Sequence, residues 1–593
     1  MSNEVNTFLI EDHRISGITD IISVGVKKGP STSSIQKYKQ QSNSTSNVMF
    51  SVNVPSENVL VDRALRIKTT LRATITFNTA VAADLPINVV PSSFPLNTGL
   101  SSASARINNT KVEVPSSYIT EVLKKQYSQE YLTNTCQMCP SYVDKFYGII
   151  DDAGATTNTS YMDGVENADY DGTSGRANGK ITMKAYSIVA NAQQVDVVTQ
   201  VTANANGSFT MPAGSKIGSW IDLEWEVSEP ILGIPTFELK QEESAYVGIN
   251  NIELNLQLND CKNVVYLALD TANKDVTYTI SPGIHGPTQG DQESYTYLSD
   301  DSYFVVNYLS LHPSDYTKMS TKNIISYNEF TSYRTNFSRP NITPKETFSV
   351  PGNLISLRQI PEKIYIFVTH PASKRPSGTS NGLNFPITNI KVDFNNRSNL
   401  LAELDQRDLY TLSRKNGSYQ PFSEFSGTLR DGNTNEYISL GSIVVLDPVR
   451  DLSLDDYLTS GSLGSFSLQM VVTCENYANA SAVVAKTSEL AVELNVVASY
   501  GGVLITQQGS SALMSGLLTK ALVLDTKDKG TAIGDYEEVA QLTGGNIGRS
   551  LTGYGDVMKK KGKNILNKKI SQATDGVGGK YNISGGSKLS KYI

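Results

Sequence analysis

Four stretches carry residue types that could do chemistry. Cys136-Gln137-Met138-Cys139 sets two thiols at the spacing that holds zinc or cycles as a disulfide. Zinc needs a second ligand pair, and Cys261 and Cys474 are distant and solitary, so two reduced thiols in a loop or helix end are the better reading. Asn167, Asp169 and Asp171 imitate the first ligands of a calcium loop, with Gly172 at the turn, but Asn178 stands where a bidentate Glu is required. Gly378-Thr379-Ser380-Asn381-Gly382 matches the G-x-S-x-G pattern of serine hydrolases, yet it sits in a polar turn region rather than on a strand-to-helix elbow. His13, His285, His312 and His370 stand in unrelated contexts, and no spacing pairs one of them with that serine. Asp447, Asp451, Asp455 and Asp456 could supply the acid and base of a glycosidase. Capping and turn roles suit this Asp-rich connection better. No Walker loop is present, because Gly579-Lys580 lacks the earlier glycine. The sequence therefore predicts no catalytic residue, no metal site and no cofactor.

The charged tail is more informative. From Arg549 to Ile593 there are ten Lys/Arg against two Asp/Glu, although the whole chain has a net charge of −7. Lys559, Lys560, Lys561, Lys563, Lys568 and Lys569 lie beside a partial apolar stripe of Met558, Ile565, Leu566 and Ile570. Such a segment suits nucleic-acid phosphates, a membrane surface or an acidic protein; a solvated tail is the bland alternative.

Behind these residues stand the elements that must position them. The 593 residues, 39% hydrophobic and 18% charged, suffice for two or more globular domains. No run of eighteen apolar residues occurs and the start lacks a signal-peptide pattern, so secretory entry is not expected. Four cysteines make no disulfide framework. In "LRIKTTLRATITF", Leu65, Ile67, Leu71, Ala73, Ile75 and Phe77 alternate with Arg66, Lys68, Thr70, Arg72 and Thr74. Period two marks a half-buried strand. The pattern returns at Ile221–Val227, Ile252–Leu258, after Lys363, after Gly464 and from Glu489. Helices are few: one stripe of Ile119, Val122 and Leu123 with Ser117 as its expected N-cap, and one of Leu401, Leu404, Leu409 and Leu412 stopped by Asn416-Gly417.

One phrase is written twice. "FPLNTGLSSASARINNTKVEVPSSYITEVLKKQY" from Phe94 and "FPITNIKVDFNNRSNLLAELDQRDLYTLSRKNG" from Phe385 both open on Phe-Pro, pass an Asn-Asn pair and reach a short amphipathic helix. "FSVNVPSENVLVDRALRI" from Phe50 is echoed by "FSVPGNLISLRQIPEKIYI" from Phe348. After the helix, residues 126–218 separate it from the next strand in the first copy and only 416–440 in the second. The chain reads as a tandem duplication with a Gly-, Asn- and Asp-rich insertion in copy one. Long connections between about eight strands per copy suit a Greek-key jelly roll better than an up-and-down barrel or a propeller.

Two jelly rolls in series resemble the double-jelly-roll major capsid proteins of the polinton-like virus, virophage and adenovirus lineage. "IPEKIYIFV", "FPITNIKVDFNNRSNLL", "DLYTLSRKNGSYQPFSEFSG", "GSIVVLDPVRDLSL" and "GSLGSFSLQM" look like that family's second-half motif series, and "VDRALRIKTTLRATITF" with "FPLNTGL" like their first-half partners. The resemblance runs over roughly 48–510. It implies an all-β chain: an N-terminal arm at 1–47, a first jelly roll at 48–312 with a surface tower at about 126–218, a second at 313–510, and a basic tail at 511–593. It further implies a homotrimeric, nearly hexagonal capsomer in an icosahedral shell, with penton and minor or cement proteins as partners. Lys559–Lys561, Lys563, Lys568 and Lys569 would face the interior, toward DNA, an inner membrane or a minor protein. Two rival readings stay open on the residues: an extracellular adhesin or carbohydrate-binding β-sandwich protein, and an all-β glycosidase.

Overall fold

Alternation becomes strand where the sequence predicts it. A computed structural model of the chain describes residues within 32–128, 181–311 and 322–515, interrupted at loops such as 78–86, 203–210, 284–301, 372–383 and 477–488. The first sandwich comprises β1 (Thr32–Lys39), β2 (Asn47–Asn53), β3 (Arg66–Phe77), β4 (Leu100–Ile107), β5 (Thr110–Val114), β6 (Ile181–Ala190), β7 (Asp196–Val201), β8 (Trp220–Glu229), β9 (Asn251–Leu258) and β10 (Tyr303–Ser310). One sheet runs β1-β10-β3-β8-β6-β7 and the facing sheet β2-β9-β4-β5, with antiparallel pairing. Val48, Phe50 and Val52 of β2 and Ile252, Leu254 and Leu256 of β9 meet Ile67 of β3 and Phe304 and Val306 of β10 in one core. Phe50 and Phe304 pack edge to face with centroids 6.2 Å apart. Burial of each such side chain contributes about 1.5–3 kcal/mol.

The second sandwich comprises β11 (Lys322–Pro340), β12 (Thr347–Pro351), β13 (Lys363–Thr369), β14 (Ile387–Phe394), β15 (Arg397–Leu400), β16 (Val444–Leu446), β17 (Leu463–Glu475) and β18 (Glu489–Gln507), followed by β19 (Ser510–Ser515). Its sheets run β11-β18-β13-β16 and β12-β17-β14-β15. This is the first sandwich's order again: β11 stands for β1, β18 for β10, β13 for β3 and β16 for β8. The four strands β12, β17, β14 and β15 stand for β2, β9, β4 and β5. The repeated Asn-Asn has the same task in both copies. Asn108 (φ 51) and Asn395 (φ 52) turn the β4–β5 and β14–β15 hairpins in the left-handed region that Asn tolerates. The Oδ1 of Asn108 accepts from the N–H of Asn250 at 2.8 Å, and that of Asn395 from Ser467 at 2.8 Å, tying each turn to the neighbouring β9 or β17 segment.

Helix α1 (Ser116–Lys124) and helix α2 (Gln406–Lys415) also occupy matching places. Their starts correct the sequence reading. Pro115 holds the cap position of α1 with no side-chain cap bond, so Ser117 lies inside the first turn. Asp405 caps α2 through the N–H groups of Arg407 and Asp408, and Leu401 and Leu404 precede the helix. The stop is as expected: Gly417 has φ 93 and Ser418 N–H reaches back to Ser413.

The boundaries also shift. Strand β1 lies within the stretch assigned to the arm, β6 and β7 come from the expected tower, and β19 extends past residue 510. β1 reads TSSIQKYK and is exposed along almost its whole length. An edge strand is held by its backbone ladder, so a buried alternation need not announce it. β6 runs on to Ala190, past its last pairing with β8 at Tyr186–Trp220, where the two rings stack at 4.9 Å.

Candidate functional site

The seam between the sandwiches joins apolar and polar contacts among the described residues. β13 reads KIYIFVT and is buried at every position after Lys363. Ile364, Ile366 and Val368 enter the second core, whereas Tyr365 and Phe367 join the first core with Ile325, Tyr327, Ile443, Val445 and Val497. A near-continuous apolar run is what a strand covered on both faces requires. Its counterpart β3 keeps Arg66 and Lys68 between buried Leu65, Ile67 and Thr69.

Helix α1 closes the seam with polar contacts. Lys125 Nζ lies 2.9 Å from a Glu424 carboxylate oxygen, with side chains 14% and 9% exposed. The Lys125 carbonyl accepts from Tyr419 N–H at 2.8 Å. Gln126 Nε2 donates to Tyr365 Oη at 2.5 Å. The Arg334 guanidinium of β11 sits 4.4 Å from the Tyr118 ring centroid and hydrogen-bonds its hydroxyl. At one end of the seam β19 returns to the first sandwich. Ser511 Oγ donates within reach of the Ile107 carbonyl at 2.6 Å and accepts from Thr110 N–H at 3.1 Å, while Asn108 Nδ2 donates to the Ser510 carbonyl at 3.1 Å. Both sandwiches are thereby held as one block.

Glu362 stands just before β13 and is 7% exposed. Burial pushes its carboxyl up to about 7, helped by Asp447 and opposed by Lys363. Burial likewise raises Asp447 and Asp451, against the hydrogen bonds and the Arg450 charge that pull them down. These two are the capping residues that the sequence predicts. Asp447 accepts from Val449 N–H at 3.1 Å at the head of helix α3 (Pro448–Asp451), and Asp451 accepts from Asp447 N–H and from Asn416 Nδ2.

Of the remaining candidates, Cys474 and His370 fall among the described residues. Cys136, Cys139, Cys261, the Asn167–Asn178 stretch, Gly378–Gly382, Asp455, Asp456, His13, His285, His312 and Lys559, Lys560, Lys561, Lys563, Lys568 and Lys569 lie outside the described residues. Cys474 is buried in the second core and its thiol is pushed up by that burial, away from reactive thiolate. His370 packs on Phe385 at 4.8 Å, with Nδ1 2.9 Å from the Ala491 carbonyl. A cavity of about 560 Å³ beside β11 has Glu493 as the sole carboxylate among its lining residues, short of the acid pair a glycosidase needs. Among the described residues, no group of three or more His, Cys, Asp and Glu side chains is placed to hold a metal ion. The seam itself was missed by sequence reasoning, although KIYIFVT against RIKTTLR was a visible signal of it.

Comparison with known families decides what such a block is for. The family described as the Sputnik virophage major capsid protein 1st domain matches residues 3–295, and the major capsid protein V20 C-terminal domain matches residues 330–502. The chain belongs to the double-jelly-roll major capsid proteins. The capsid protein V20 of Sputnik virophage is 23% identical over 602 residues, covering 97% of this chain and 91% of its own length. A chain of the cryo-EM structure of the Sputnik virophage superposes with a TM-score of 0.66 at 20% identity, over 91% of this capsid protein and 100% of that chain. The mavirus major capsid protein superposes with a TM-score of 0.62 at 14% identity, over 89% and 99%. The expected fold is therefore present, and the capsid protein is a virion component of a double-stranded DNA virus.

Proposed function

We propose that three copies of this capsid protein close into a pseudo-hexagonal capsomer and that such capsomers tile an icosahedral shell without any catalytic activity. The observation that carries this reading is the strand order repeated twice in one chain. Three chains then present six equivalent walls, and a head-to-tail contact between them closes into a ring. The extended β walls supply the area of about 2,000 Å² or more that obligate association buries. Penton and minor or cement proteins complete the shell as partners. The part of the 126–218 stretch that precedes β6 serves as an outward loop, and the basic segment with Lys559–Lys561, Lys563, Lys568 and Lys569 meets DNA, an inner membrane or a minor protein on the interior. Light scattering of the purified full chain tests the reading: a stable species of three times 64.5 kDa is expected. A monomer at every concentration would overturn it, and glycan binding by that monomer would favour the adhesin reading instead.

A further inference from the structure

Glu424 and Glu362 are both buried where the sandwiches join, and the fold treats them differently. Glu424 has the Lys125 ammonium 2.9 Å away. The Glu362 carboxylate takes no hydrogen bond and no ion pair among the described residues, although the residue is 7% exposed. Its backbone N–H is fixed to the Ser499 carbonyl at 2.8 Å, which anchors it at the head of β13. From β18 the uncharged backbone at Gly501 faces it: a Cβ added there would lie 3.6 Å from Glu362 Oε2.

The charges around Glu362 do not cancel. Lys363 attracts the ionised form, yet its Nζ reaches to the end of α2, 3.1 Å from where a Cβ on Gly417 would stand. Asp447 repels the ionised form. The donors of α3 are engaged elsewhere: Val449 N–H and the Arg450 charge serve Asp447, while Asp447 N–H and Asn416 serve Asp451. On the first-sandwich side, Lys125 is held by Glu424, and Gln126 donates to the Tyr365 hydroxyl. Burial first and the Glu362 charge second push the Tyr365 phenol up, so the carboxyl and the phenol share one dry region of the seam. A carboxyl in such surroundings favours the neutral acid, and ionising it calls for water or for movement.

We propose that Glu362 is a proton-operated latch on the seam. Protonated, it lets β13 and the end of α1 stay packed. Ionised, it draws water into the join and lets the two sandwiches part locally while each keeps its own core. The seam is therefore tight in acid and loosens as pH rises through neutrality, because the closed form holds a proton that the opened form has released. Strand β13 is suited to carry that motion, since Tyr365 and Phe367 join one core and Ile364 and Ile366 the other.

Hydrogen exchange of the full chain at pH 6 and pH 8, corrected for the intrinsic change of exchange with pH, tests the latch. Peptides covering 362–369 and 417–420 report on the seam, where Tyr419 N–H donates to the Lys125 carbonyl. Peptides covering β2 and β9 report on the first core. With a closed-state value of about 7 against an ordinary 4.5 once opened, the opened seam should be about tenfold more populated at pH 8 than at pH 6. β2 and β9 should hold their protection. Glu362→Gln should remove the difference between the two pH values, and Glu362→Leu serves as a second uncharged variant should the amide not fold. Equal seam protection at both pH values in the native chain would overturn the latch. So would a pH effect that persists in the uncharged variants, or a loss shared equally by β2 and β9. The capsomer reading stands or falls separately, on the mass of the native chain.

Discussion

Lys125 and Glu424 stand 2.9 Å apart across the seam, one at the end of a first-sandwich helix and the other in a short second-sandwich helix, Phe422–Phe425. They are 299 residues apart in the chain. Both are mostly withdrawn from water, so each contributes to the other's solvation. Removing one partner leaves a buried charge. Lys125→Met alone or Glu424→Leu alone should cost about 3 kcal/mol, while the double change should cost markedly less. Denaturant unfolding of the four chains measures the difference.

Glu362 makes stability depend on pH. Its folded value is about 7 against an ordinary 4.5, so between those values the folded chain holds a proton that the unfolded chain has released. Stability from this group is therefore lost as pH rises from about 4.5 through 7, and the loss is complete above that, on the order of 3 kcal/mol. Glu362→Gln should flatten the pH profile over that window and raise the melting temperature at pH 8. An unchanged slope would show that the buried carboxyl is not titrating there.

Gly441 tests packing against backbone strain. Its φ is +87, and an added Cβ would lie 1.8 Å from the Asn384 carbonyl oxygen, which cannot swing aside. Gly441→Ala should destabilise the second sandwich by about 3 kcal/mol or more. Gly214 has φ +82 but no atom within 4 Å of such a Cβ, so Gly214→Ala should cost only the conformational strain of about 1–2 kcal/mol. Thermal melts of the two variants separate the terms.

Deleting residues 549–593 should spare the trimer and impair shell assembly or packaging. The basic segment it removes lies beyond β19, the last described strand. Mass measurement of the truncated chain, followed by electron microscopy of assembly reactions, reads both effects. Loss of the trimer itself would place the tail in the capsomer rather than inside the shell.

Much of this architecture was legible along the chain. Leu65 and Ile67 alternate with Arg66 and Lys68 because one face of β3 is core and the other is wet, a contrast set within a few residues. The doubled Asn-Asn survives because a two-residue hairpin needs a side chain that tolerates positive φ, and that too is a local demand. Strand β1 was not legible, since its polar residues join the sheet through backbone bonds that any sequence can make.

By itself, the sequence determined that the chain is built mainly of β-strands with a few short helices, that its plan occurs twice, and that a basic segment follows an acidic body. Those are properties of period, repetition and composition, which short stretches carry alone. Tertiary structure alone decided that Tyr365 turns toward the first core, that Gln126 finds its hydroxyl, and that Ser511 returns to the Asn108 turn. Each of these partnerships joins residues hundreds of positions apart. Their selectivity arises only once both sandwiches have formed and burial has made an unpaired polar group costly.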